Sequence, residues 1–92
     1  MFVLKLQKQA VLDITDGYIW YEDAKEGLGD EFLLEVNKGL KKAEQNPILF
    51  SAISEHFRKL KVSRFPYLVL YEIEENFIFI TSIWHTSRKP KE

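Results

Sequence analysis

Cysteine is absent from this chain, and histidine occurs only twice. Without cysteine there is no disulfide framework and no thiolate metal site. His56 and His85 lie far apart and neither sits in a ligand motif, so no metal site is expected. The sequence has no dinucleotide fingerprint, no Walker loop and no nucleophile elbow. Gly27-Leu28-Gly29 is too short to cradle phosphate and reads as a turn between helices. No apolar run approaches the length of a membrane span. The opening MFVLKLQKQ lacks the basic head and apolar stretch of a signal peptide. These absences predict a cytoplasmic protein with no cofactor and no membrane contact. Net charge is also lacking: the formal value of −1 gives the molecule as a whole no strong attraction to nucleic acid.

What charge there is lies unevenly. Residues 1–46 carry nine acids against six lysines, and residues 47–92 carry seven bases against five acids. All three arginines, Arg58, Arg64 and Arg88, fall in the second half. Guanidinium is the better fork for phosphate or carboxylate, so the polar chemistry is weighted toward the C-terminal half. A solvated sheet rim would show the same bias.

Ninety-two residues predict one domain, 1–92. Phe2, Leu4 and Leu6 alternate with Val3, Lys5 and Gln7, the period of a strand with one buried face. A helix is expected from Lys8, with Val11, Ile14, Tyr18 and Tyr21 on its inward face, ending near Lys25–Gly27. Gly17 should cost this helix roughly 1 kcal/mol relative to alanine. A second helix begins around Leu28–Asp30, with Asp30 and Glu31 at its positive end and Lys38, Lys41 and Lys42 toward its other end. Its inward face is Leu28, Phe32, Val36, Leu40 and Ala43, and Asn46-Pro47 stops it. The short link predicts an antiparallel helical hairpin.

In residues 47–56, Ile48, Leu49, Phe50 and Ile53 are expected to plug the edge of the core. Three strands follow: Arg58–Val62, Phe65–Ile73 and Phe77–His85, the last two joined at Glu74-Glu75-Asn76. The second and third are apolar on both parities, which predicts central strands. Alternation in the last puts Phe77, Phe79 and Ile83 against Ile78, Ile80 and Trp84. The fold class is therefore α+β, in the order β-α-α-β-β-β, with the helical hairpin on one face of a mainly antiparallel sheet.

His85 ends the last strand and can serve as a general acid or base near neutral pH. Arg58, Arg64 and Arg88 could then stabilise the charge that develops when a 2′-hydroxyl attacks a phosphate. Equally, His85 could hydrogen-bond a neighbouring backbone group and cap the sheet. Trp84, on the parity opposite His85, is a candidate for contact with a partner, as are Lys61 and Lys89. Tyr18, Trp20, Tyr21, Phe77 and Phe79 could stack bases, but their spacing also fits a core.

One set of residues in order resembles a known family. It comprises Ala10, Asp13-Ile14, Trp20-Tyr21, Gly27-Leu28-Gly29 with Phe32, and Asn46-Pro47. Then come Arg58-x-Leu60-x-Val62-x-Arg64-Phe65-Pro66-Tyr67-x-Val69-x-Tyr71 and Trp84-His85-Thr86-Ser87-Arg88-x-Pro90. Over nearly the whole chain this is similar to the RelE/ParE superfamily of toxins from bacterial type II toxin–antitoxin modules. The resemblance implies a small toxin neutralised by a cognate antitoxin. RelE-like members cut messenger RNA in the ribosomal A site, whereas ParE-like members block DNA gyrase. RelE-like sites usually carry a basic residue on the central strand and another after the histidine. Here those positions are Leu68 and Thr86, so the pattern leans to the ParE-like branch. The runner-up is a ribosome-dependent endoribonuclease with His85, Arg58, Arg64 and Arg88 as its catalytic set. A third expectation is an inactive member that only binds its antitoxin.

Overall fold

The computed structural model describes residues 1–87, so the expectations placed on Arg88 and Lys89 lie outside the described residues. The order is β1 (Val3–Leu6), α1 (Lys8–Ala24), α2 (Leu28–Gln45), β2 (Ser51–Ala52), β3 (Phe57–Lys61), β4 (Tyr67–Glu74) and β5 (Phe77–His85). Two helices pack on one sheet ordered β1-β5-β4-β3-β2. All strand pairs are antiparallel except β1 with β5. The expected α+β architecture holds, with the two-residue β2 as an addition at one edge. No helix of the described residues is long and apolar enough to cross a membrane.

Burial of α2 follows its sequence period. Phe32, Val36, Leu40 and Ala43 recur at four, four and three residues and are all buried against Leu60, Val62, Val69 and Tyr71. The first helix departs from its expected face. Ala10 and Gly17 are its buried residues, while Val11, placed inward from the sequence, is half exposed. The missing side chain at Gly17 lets the Phe32 ring come so close that an added Cβ would lie 2.6 Å from two ring carbons. The stripe turned to the core is Ala10, Ile14, Gly17 and Tyr21, and Val11 lies off it.

The turn between the helices needs its glycines. Gly27 has φ +86°, in the left-handed region that suits glycine. Its N–H donates to the Glu22 carboxylate at 3.0 and 3.2 Å, and the Gly29 N–H donates to Glu22 Oε1 at 3.0 Å. A carboxylate from α1 thus occupies the positive end of α2, satisfying donors that a helix start leaves open.

Four residues expected to be buried at the edges are not. Leu6, at the end of β1, is exposed, because β1 is an edge strand of the sheet. In the link after α2, only Phe50 turns back to the core, while Ile48, Leu49 and Ile53 are 68, 75 and 53% exposed. Here Tyr71 fills the core instead. It is fully buried, and its hydroxyl donates to the Pro47 carbonyl at 2.7 Å. Burial raises the Tyr71 phenol above its ordinary pKa.

Candidate functional site

Both helices cover the same side of the sheet. Tyr67, Val69 and Tyr71 of β4 face them and are buried, so Leu68, Leu70 and Glu72 point to the other, open face. Strand pairing then fixes what lies beside them. Lys61 pairs with Leu68, and Leu68 with Trp84. In the next row Lys59 pairs with Leu70, and Leu70 with Ser82. Further along lie Phe79 and Phe77, stacked at 5.9 Å, with the Lys5 ammonium over Phe77. The open face is therefore an apolar and aromatic strip with Lys59 and Lys61 along one side and Glu72 set between Phe57 and Phe79. Trp84 and Lys61, two of the three residues singled out from sequence for partner contact, belong to one cross-strand row.

The residues considered for ribonuclease chemistry are placed differently. His85 pairs with Tyr67, and its ring meets the Tyr67 ring edge-on at 4.9 Å, on the helix side of the sheet. Its Nδ1 accepts the Ser87 N–H at 3.0 Å, which puts the proton of the neutral imidazole on Nε2. This is the backbone contact anticipated as the alternative to catalysis. Arg64, in the connection before β4, lies toward the same end of the sheet. It has φ +71° and is held by Glu31 at 2.7 Å and Glu35 at 3.6 Å on α2. Arg58 pairs with Tyr71, four residues further along β4 than the Tyr67–His85 pair, roughly 13 Å at strand rise. Its guanidinium donates to the carbonyls of Ile48 at 3.2 Å and Phe50 at 2.7 Å, so it ties down the link after α2. The fold brings His85 and Arg64 to one end and leaves Arg58 at the other.

The Arg64 ion pair has a pH signature. A hydrogen bond from Arg64 is the main cause holding the Glu31 carboxyl below its usual pKa. A depressed folded-state value means the pair stabilises fully above the unfolded carboxylate value and is lost as pH falls through the folded one. Denaturation at a series of pH values should therefore show the advantage of the wild type over Arg64→Gln shrinking as the solution is acidified through that range. Parallel stability curves would contradict this role for the pair.

Sequence reasoning did not single out Leu68 and Leu70 as surface residues. The signal was present: β4 is apolar on both parities, and only one of its faces is covered by helices. Among the described residues no group of three His, Cys, Asp or Glu could hold a metal ion.

The architecture is shared with solved toxins. A chromosomal ParDE toxin–antitoxin structure from P. aeruginosa superposes with TM-score 0.71 at 17% identity, covering 95% of this chain and 98% of that one. The isolated RelE toxin of E. coli gives TM-score 0.69 at 17% identity, over 97% of this chain and 88% of that one. The fold is thus that of the RelE/ParE toxins, and at this identity the likeness does not separate the two branches. Residues 4–90 match the family model of the ParE toxin of the type II toxin–antitoxin system parDE, and the chain belongs to that family. Membership in the family implies a cognate antitoxin as partner. No curated protein sequence matches the chain significantly.

Proposed function

We propose that this ParE-family toxin arrests growth by occupying a protein target in the cytoplasm, DNA gyrase first among candidates, rather than by cutting RNA. The supporting observation is where the cationic groups are engaged. Arg58 binds backbone carbonyls and Arg64 binds two carboxylates, so two of the three guanidinium groups considered for a phosphate clamp have internal partners, and the third, Arg88, lies outside the described residues. The strip of Leu68, Leu70 and Trp84 offers apolar area beside the charges of Lys59 and Lys61, the Lys61 ammonium also donating to the Val62 and Phe65 carbonyls at 3.3 and 3.4 Å. Such a surface suits an amphipathic segment with acidic flanks, laid across the sheet. In this reading the antitoxin covers that strip and so neutralises the toxin.

A ribosome-dependent endoribonuclease is the second reading, because His85 and the Arg64 connection lie at one end of the sheet. A supercoiling assay with purified gyrase tests the first. Inhibition at modest toxin excess, relieved by the antitoxin, is the expected result. Full supercoiling at high excess would overturn gyrase as the target. Normal growth on induction would point to a member that only binds its antitoxin.

A further inference from the structure

Asp13 belongs to the family-like pattern on α1, yet neither toxin reading uses it. The structure assigns it a positioning role: its carboxylate holds the bulge in β5 that turns Trp84 to the open face. Calling that face the docking surface rests on the function proposed above.

Along β5, Ile78 and Ile80 face the helices, and strict alternation would send Ile83 outward and Trp84 inward. The register instead shifts by one residue. Tyr71 pairs with Ile80 but Leu70 pairs with Ser82, leaving Thr81 as the extra residue. Past it, Ile83 is buried and Trp84 is 43% exposed beside Leu68.

Two side chains hold the displaced backbone. On the β4 side the Thr81 hydroxyl donates to the Leu70 carbonyl at 3.1 Å. On the other side β1 pairs with β5 only as far as Ile80, where the Gln7 N–H closes the ladder and the chain turns into α1. Among the described residues, the next part of that β5 edge has no strand beside it. Asp13 Oδ2 takes the strand's place, accepting the Ile83 N–H at 3.0 Å, while Gln9 Nε2 donates to Oδ1 at 2.8 Å. Without that acceptor, a half-buried N–H beside the bulge has no partner, and the regular register becomes competitive.

The test uses Trp20→Phe as background, so that Trp84 is the sole indole. Asp13→Ala should raise hydrogen exchange at the Ile83 amide about tenfold and change the emission and quenching of Trp84. Asp13→Asn keeps an acceptor oxygen and should stay close to wild type in both. Thr81→Val cuts the opposite tie and should move Trp84 in the same sense as Asp13→Ala, which keeps the test decisive if Asp13→Ala folds poorly. An unchanged Ile83 amide and Trp84 in Asp13→Ala, or an unmoved Trp84 in Thr81→Val, overturns the assignment. So does an Asp13→Asn as disturbed as Asp13→Ala. Antitoxin affinity separates the two layers. If Asp13→Ala moves Trp84 while Trp84→Ala leaves affinity intact, the positioning role stands and the docking reading falls.

Discussion

Gly29→Ala is expected to destabilise the protein by about 2 kcal/mol, although helix propensity alone gives alanine an advantage of about 1 kcal/mol. The reason is the packing of the two helices. A Cβ at Gly29 would lie 2.8 Å from the Tyr18 carbonyl oxygen and 2.9 Å from Glu22 Oε1. That carbonyl is α1 backbone and cannot swing away as a side-chain tip can. Moving the helices apart would break the Gly29 N–H bond to Glu22 and open the contact at Gly17. Gly39 provides the contrast, because the nearest atom to its added Cβ is Leu60 Cδ2 at 3.5 Å, ordinary contact. Gly39→Ala should therefore stabilise by up to about 1 kcal/mol. Urea midpoints at constant m-value measure both. If Gly29→Ala stabilises the protein as Gly39→Ala is expected to, the close approach of the helices is wrong.

Trp84→Asp should weaken the antitoxin complex by about 2–4 kcal/mol, roughly 30- to 1,000-fold in affinity. Tryptophan is among the residue types that most often carry binding energy at an interface. Here its ring stands beside Leu68 and in line with Lys61, with no helix over that face. The aspartate removes the apolar area and puts a negative charge where an acidic partner segment would lie. Trp20 is the control. It is more exposed than Trp84 but sits on α1, on the opposite side of the sheet, so Trp20→Ala should leave antitoxin affinity within about twofold. Titration calorimetry with the purified antitoxin reads both. Equal losses at the two sites would mean that the antitoxin wraps the hairpin as well as the open face.

How much of this was legible depended on whether a feature is local. The second helix could be read residue by residue, because its buried positions keep one period and its ends carry the expected charges and Asn46-Pro47. The hairpin of β4 and β5 was legible from two apolar runs around Glu74-Glu75-Asn76. The bulge was not: a period-2 reading of β5 groups Ile83 with Phe77 and Phe79, and only the pairing with β4 reveals the shift. Gly17 reads in sequence as a weak point of α1, whereas its purpose lies on the other helix, at Phe32. Arg58 looks like a phosphate ligand by residue type, yet its partners are loop carbonyls that carry no side-chain signature. Glu22 shows no sign of its role either, because the N–H groups it caps belong to the following helix.

The central claim is that this toxin acts by binding and leaves RNA intact. The most direct test is primer extension on messenger RNA after induction in a bacterial host, for the wild type and His85→Ala. Growth arrest without new 5′ ends, equally strong in both, is the expected outcome. Cuts within coding sequence that appear with the wild type and vanish with His85→Ala would contradict the claim and make His85 the catalytic group of a ribonuclease.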